Sequence, residues 1–420
     1  MSVVHLSTND VWGGAAKAAY RLHQGLRAES VQSSMFVRNK RSKQDHVVEF
    51  RPSDSFFAKC QRAFRYVRIR RDFFPRYVSR PGSTGTLMSD DRSRFAGEVV
   101  DQLPAANILN LHWVAEFVDI PNLFRNTDVP IVWTLHDMNP LTGGCHYSFR
   151  CRRFEKKCGI CPRIDSDEKN DPSRKSWKRK RTAFREKINQ NKLHVVAPST
   201  WLAREARKST LLGGAPIHHI PYGLDHTRFR PRSSQSERSR LGISDTRKII
   251  LFVAHSSTDP RKGFHLLIKA LKNANLSGVT LVSIGSSSPV VPNGITHVHA
   301  GHIDDEEKLS VMYSMADVFV IPSLQDNLPN TVLESMACGT PVVGFKSGGI
   351  PEMVRAGETG WLTEKGNIRE LRQAIETSLE DDTERKKMST QCRRVIAKEY
   401  TIKRQARSYK SMYSALLSQN

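Results

Sequence analysis

Gln325-Asp326-Asn327-Leu328-Pro329-Asn330-Thr331-Val332-Leu333-Glu334-Ser335-Met336-Ala337-Cys338-Gly339-Thr340-Pro341 is the stretch on which the fold turns. It follows Val318-Phe319-Val320-Ile321-Pro322-Ser323, a short apolar run that reads as a buried strand. Pro329 to Ala337 reads as a helix. An acidic loop that leads from a parallel strand into a helix N-terminus is how open α/β sheets present groups to a ligand. The loop and helix carry two carboxylates, Asp326 and Glu334, eight positions apart. Both can accept hydrogen bonds from sugar or ribose hydroxyls. A solvated loop Asp and an ordinary surface Glu would explain the same residues.

The pattern repeats outward from there. Strand-like runs occur at Val3-Leu6, Ile108-Leu111, Ile131-Leu135, Leu193-Val196, Ile249-Val253, Val279-Ile284 and Pro341-Phe345. Helix candidates lie between them, among them Ala15 to Arg27, Phe264 to Ala274 and Glu306 to Ala316. Near-continuous apolar strands alternating with helices predict parallel sheets covered on both faces. Pro221 to Ser239, rich in Pro, Arg and Ser, reads as a linker between two α/β domains. The segment 40–97 is basic and irregular, and reads as an insertion or a mobile surface region. The chain closes on a helical pattern, Ile402 to Leu417, with Ala406, Tyr409, Met412, Tyr413 and Leu416 at helical spacing.

Other loops add chemistry. Gly13-Gly14 sits between a strand and a helix, where paired glycines let the backbone approach a ligand and expose N–H groups to an anion. It is not a dinucleotide fingerprint. Arg261 and Lys262, in Asp259-Pro260-Arg261-Lys262-Gly263-Phe264, place two cations at a helix start, an unfavourable pairing unless an anion sits there. A diphosphate would resolve that conflict. Ser347-Gly348-Gly349-Ile350-Pro351-Glu352 is a further glycine loop after a strand. His136 ends the run Ile131 to Leu135, where it can contact a reacting sugar or its phosphate or be a satisfied structural His.

The 420 residues allow two or three domains, and 38% hydrophobic with 25% charged residues fits a globular protein. No apolar run approaches the length of a membrane span, and the start of the chain carries no secretory pattern. The formal charge of +23 is concentrated in two blocks, Arg62 to Arg80 and Arg150 to Lys192. Such clusters attract polyanions: nucleic acid, anionic lipid headgroups or phosphorylated substrates. Four of the seven cysteines, Cys145, Cys151, Cys158 and Cys161, share one loop as C-x5-C-x6-C-x2-C. They can form a structural tetrahedral zinc site, with His146 as a substitute ligand; an Fe–S cluster or free thiols are the alternatives.

Taken together, these residues resemble the GT-B glycosyltransferases of family 4. The signature is Asp326 to Glu334 with the Ala-Cys-Gly-Thr-Pro turn. Supporting it are Gly13-Gly14, Ala197-Pro198-Ser199-Thr200-Trp201-Leu202, Ile220-Pro221-Tyr222-Gly223-Leu224-Asp225, Arg261-Lys262-Gly263 and Ser347 to Glu352. Thr142 to Tyr147 with the later cysteines is similar to a subgroup associated with bacterial exopolysaccharide assembly. Two departures stand out. The first acid is Asp326, one methylene shorter than the family's Glu. Ser256 stands where the family often has Arg, which shifts load onto Arg261.

The resemblance implies two Rossmann-like doubly wound domains facing a cleft. They are an acceptor-side domain at 1–222 and a donor domain at 223–400, with a closing helix at 401–420 that returns to the first. It implies a retaining, metal-independent hexosyltransferase that uses a nucleotide-diphosphate sugar. Arg261 and Lys262 would hold the diphosphate, Glu334 the ribose, and Asp326 with Asn327 and Leu328 the sugar. Gly13 and Gly14 would approach the phosphates, and His136 would lie near the sugar. The expected setting is cytoplasmic, peripheral on an anionic inner-membrane face, with a lipid-linked or oligosaccharide acceptor of exopolysaccharide synthesis. No cofactor is required for catalysis and no nucleic acid is expected. The alternatives are a nucleic-acid-binding protein using the basic blocks, or a sugar-nucleotide epimerase.

Overall fold

The computed structural model describes residues 1–73 and 88–418. They form two compact units: Met1–Pro221 with the chain from Gln405 onward, and Tyr222–Arg404. In the first, the strands are β1 (Ser2–Asn9), β2 (Gln32–Asn39), β3 (Val47–Glu49), β4 (Ile108–Leu111), β5 (Ile131–Thr134), β6 (Leu193–Ala197) and β7 (Ile217–His219). They pair in parallel in the order β3-β2-β1-β4-β5-β6-β7. In the second, β8 (Lys248–Val253), β9 (Val279–Ile284), β10 (His297–His299), β11 (Val318–Ile321), β12 (Val342–Phe345) and β13 (Gly360–Thr363) pair in parallel as β10-β9-β8-β11-β12-β13. Strand order therefore reverses between β1 and β4 in one sheet and between β8 and β11 in the other.

Side-chain alternation explains why both faces of the first sheet are covered. Val4, Leu109, Ile131 and Val195 point into one core, with Trp133, Phe124 and Phe184. Their neighbours Val3, Ile108, Val132 and Val196 point into the other, which the C-terminal helix Ile402–Ser418 covers with Ala406, Tyr409, Met412, Tyr413 and Leu416. The two buried tyrosines keep partners for their hydroxyls. Asn110 donates to Tyr413 Oη at 2.6 Å, and Tyr409 Oη shares a 2.9 Å hydrogen bond with Thr134 Oγ1. In the second unit Ile250, Phe252, Val318, Val320, Val343 and Phe345 pack with Leu267 and Leu371 from the flanking helices.

Two sequence readings gain detail. The stretch Pro221 to Ser239 begins where the two units divide, and it is anchored. Leu224 and Phe229 are buried, the Leu224 N–H donates to the Tyr400 carbonyl at 2.7 Å, and the Arg230 N–H to Ser310 Oγ at 3.2 Å. Its three apolar anchors, Tyr222, Leu224 and Phe229, are too few for a periodic signal. The segment 40–97 is also more regular than expected. It holds β3 and an 18-residue helix, Phe56–Phe73, whose first turn is capped by Ser55 Oγ accepting from the Ala58 N–H at 3.2 Å. Phe74, Arg76 and Arg80 of the same segment lie outside the described residues.

Candidate functional site

The switch point of the second unit gathers three loops. The first follows β8. Asp259 accepts the Arg261 N–H at 2.9 Å and closes the turn Pro260–Lys262. Gly263 ends that turn at φ 73°, where a Cβ would stand 1.9 Å from the Pro322 carbonyl oxygen of the second loop. Only glycine allows that approach. The Leu324 N–H then donates to the Arg261 carbonyl at 2.8 Å, tying the loops after β8 and β11 together. The third loop, after β12, closes from the other side. Gly348 has φ 58°, and a Cβ there would lie 1.6 Å from the Asp326 carbonyl oxygen, which also accepts the Gly349 N–H at 3.2 Å.

Asp326 is the centre of this arrangement. Lys262 Nζ lies 2.6 Å from its Oδ2 and Arg261 Nη1 3.3 Å from its Oδ1. Arg261 also donates to the Gln325 carbonyl at 3.0 Å and pairs with Asp259 at 3.2 Å. Gln325, Asp326, Asn327 and Leu328 are all buried. Burial alone would raise the Asp326 carboxyl, but the charges of Lys262 and Arg261 and the Lys262 hydrogen bond outweigh it and hold it below its ordinary value. Burial lowers the Lys262 ammonium, with Asp326 opposing. The conflict expected of two neighbouring cations is thus relieved inside the chain, because Asp259 and Asp326 match Arg261 and Lys262 in charge. Glu334 stands on the helix Asn330–Ala337 that the loop enters, buried, with its Oε2 accepting from Tyr313 Oη at 3.3 Å.

In the first unit, Gly13 caps the helix Gly14–Ala28 at φ 91°, and nothing lies within 4 Å of a Cβ built there. His136 follows β5 and joins a chain of imidazoles that the sequence reading missed. His136 Nε2 and His112 Nδ1 share a 2.9 Å hydrogen bond, and His112 Nε2 and His5 Nδ1 another of 2.9 Å. Burial pushes His136 down to about 4, with Asp137 opposing, and His5 down to about 3; His112 is lowered well below its usual value, first by burial and then by its two neighbours. The available signal was positional: His112 directly follows β4, as His136 follows β5.

The cysteine loop is ordered by its own hydrogen bonds. The Cys161 N–H donates to Asp171 at 2.8 Å, and Cys158 Sγ accepts the Gly143 N–H at 3.2 Å. A hydrogen bond from Cys145 holds the Cys161 thiol down to about 7 against burial, and burial pushes Cys158 up to about 12. None of the four is joined in a disulfide, and Cys151 is half-buried. Among the described residues, no three His, Cys, Asp or Glu side chains gather as a metal set. His146 is engaged at both ring nitrogens, 2.6 Å from Asp137 Oδ2 and 2.8 Å from Ser89 Oγ, which corrects its reading as a substitute ligand. The second basic block lines a cleft of about 1020 Å³ with Arg152, Lys156, Lys169, Arg174, Lys178 and Arg181.

Comparison with known proteins agrees with this geometry. A family model described as Glycosyltransferase Family 4 matches residues 12–228, and one described as Glycosyl transferases group 1 matches residues 233–395. A D-inositol 3-phosphate glycosyltransferase of Segniliparus rotundus is 31% identical over 162 residues, 35% of this chain and 36% of that protein. The chain therefore spans little more than a third of the length of the curated relatives it matches. Among solved structures, sucrose-phosphate synthase from Thermosynechococcus elongatus superposes over 100% of both chains with a TM-score of 0.70 at 17% identity. HepE from Anabaena, in complex with UDP-glucose, covers 99% of this chain and 100% of its own, with a TM-score of 0.68 at 16% identity. These likenesses establish the GT-B fold.

Proposed function

We propose that this chain, which belongs to glycosyltransferase family 4, moves a sugar from a nucleotide-diphosphate donor to an acceptor, with retention at the anomeric carbon and no catalytic metal. The observation that carries the reading is the clasp of Asp326 by Arg261 and Lys262 across the switch point between β8 and β11. Ligands of open α/β sheets bind outside the carboxyl ends of the strands at such a point.

In this reading Asp326 holds both cationic heads at one place before a donor arrives. An ammonium has three N–H groups, so Lys262 can keep its bond to Asp326 and still donate to a diphosphate oxygen. Fixed cations there offset the charge that grows on the leaving diphosphate, and they need no reorganisation at the moment of transfer. Glu334 takes the ribose hydroxyls, and Asp326 with the backbone of Asn327 and Leu328 takes the donor sugar. The roles expected of Gly13, Gly14 and His136 are tested by substitution in the thermal-stabilisation assay. The acceptor of this reading is a lipid-linked or oligosaccharide chain of exopolysaccharide synthesis, reached at the cytoplasmic face of a membrane. The name of the Segniliparus relative adds a phosphorylated inositol to the acceptors worth testing. A structural zinc on Cys145, Cys151, Cys158 and Cys161 is a separate proposal, decided by metal analysis of the purified chain.

A panel of nucleotide sugars tested by thermal stabilisation, followed by acceptor-dependent nucleotide release, tests the reading. One donor should raise the melting temperature, and Lys262→Ala and Glu334→Ala should each remove that rise while keeping the fold. NMR of the product's anomeric proton reads retention. No stabilisation by any nucleotide sugar would sink the reading. Conversion of the donor to its epimer, with the nucleotide still attached, would favour the epimerase.

A further inference from the structure

The helix Phe56–Phe73 is mounted with Arg62, Arg65 and Asp72 paired to the body and an apolar stripe turned outward. On the inner side Arg62 pairs with Glu98 at 2.8 Å, and Arg65 with the buried Asp119 at 2.9 Å. Near the last turn Asp72 pairs with Arg92 at 2.9 Å. On the outer side Phe56 is 84% exposed, Phe57 71%, Phe64 69% and Val67 63%, with exposed Cys60 among them. At about 100° per residue, these five positions fall within roughly 100° of the helix circumference. Lys59, Arg68 and Arg71 flank or interrupt the stripe and are exposed. The ion pairs leave the helix one orientation, and that orientation puts the apolar stripe in water.

A contiguous apolar stripe of this kind marks an interaction surface. Its cations select the partner. A second copy meeting it symmetrically would set Arg68 and Arg71 against their own counterparts. A bilayer with anionic headgroups instead offers acyl chains to the rings and negative charge to the flanking arginines. The remaining positive charge of the chain, +23 in total, acts in the same direction.

We propose that helix Phe56–Phe73 docks the chain on an anionic lipid surface, with Phe56, Phe57, Phe64 and Val67 entering the acyl boundary and Lys59, Arg68 and Arg71 meeting the headgroups. It rests on the transfer reading only for its purpose, which is access to a lipid-linked acceptor; the docking stands on the helix alone.

Cosedimentation of the full chain with phosphatidylcholine vesicles, with and without phosphatidylglycerol, tests it. Binding to the anionic vesicles should be at least tenfold tighter. Phe56→Ser, Phe57→Ser, Phe64→Ser and Val67→Ser combined should lose tenfold or more of that binding. The same variant should keep its melting temperature and its stabilisation by a nucleotide sugar, so failure of docking is separable from failure of the donor site. Arg68→Glu with Arg71→Glu should abolish the preference for anionic vesicles. Lys156→Glu with Lys178→Glu, in the basic cleft, should leave binding within a few-fold. Vesicle binding that survives the serine variant but not the cleft variant would overturn the proposal. So would a lipid-free dimer, by light scattering, that the serine variant dissolves.

Discussion

Lys262 Nζ reaches Asp326 Oδ2 at 2.6 Å although 64 positions separate the two residues. Two loops from adjacent parallel strands meet in that bond, and a lysine, a carboxylate and an arginine share one point.

Removing Lys262 should therefore cost rate far more than stability. Arg261 still pairs with Asp326 in Lys262→Ala, so the carboxylate is not left alone. Turnover should fall roughly a hundredfold to a thousandfold, the usual cost of losing one fixed charge-stabilising donor. Circular dichroism and steady-state rates on one preparation check both parts.

Acid should loosen the same site. The folded Asp326 carboxyl titrates below its ordinary value, so its contribution is fully present above about pH 4 and is lost as pH falls through the lowered value. Urea midpoints between pH 5 and pH 3 should fall more steeply for the native chain than for Asp326→Asn. Equal slopes would mean the carboxylate adds nothing to folding.

The glycines separate crowding from conformation. Gly348→Ala drives a methyl group into the Asp326 carbonyl, whereas Gly13→Ala meets open space and only an unfavourable φ. The first should abolish nucleotide-sugar stabilisation. The second should cost about 1–3 kcal/mol by backbone strain alone. Equal effects in thermal melts would contradict the close approach.

Between pH 7 and 4 the imidazole chain should dominate. His5, His112 and His136 are all neutral in the fold at values below that of an unfolded histidine. Stability is complete above about pH 6.5, and it declines as pH drops toward the folded values, since the unfolded chain binds protons first. A His5→Gln, His112→Gln variant should show a shallower decline in urea midpoint over that range.

The closing helix offers a core test. Tyr409→Ala removes a fully buried ring and should cost about 3–5 kcal/mol. Tyr413→Phe leaves Asn110 without its 2.6 Å acceptor and should cost about 1–3 kcal/mol. Guanidinium denaturation measures both.

Much of this was legible from the chain alone. The run Ile249-Val253 is apolar at every position and Ile108-Leu111 at all but Asn110, as doubly covered strands require, and both lie in strands. Helix Ile402–Ser418 announced itself through five apolar positions on one face. The three loops after β8, β11 and β12 were legible because glycines and charges follow strands directly. Their closure on Asp326 was not, since ion pairs between distant loops leave no periodicity. Helix Phe56–Phe73 escaped because Phe56, Phe57, Phe64 and Val67 face outward while Arg62 and Arg65 face the body, the reverse of the pattern that marks a core helix. His5 and His112 escaped because a polar residue within a strand or at its end looks the same whether it is solvated or wired to a neighbour.

One feature of the connectivity bears on how the polypeptide is made. The face of the first sheet formed by Val3, Ile108, Val132 and Val196 is sealed by residues beyond Gln405. During synthesis that face has only the partial cover of Leu22 and Leu26 from helix Gly14–Ala28 until the whole of Tyr222–Arg404 has left the ribosome, many seconds at about 5–20 residues per second. Nascent chains halted before Ala406 should be sticky chaperone clients, and release of the final turns should be the step that makes them soluble.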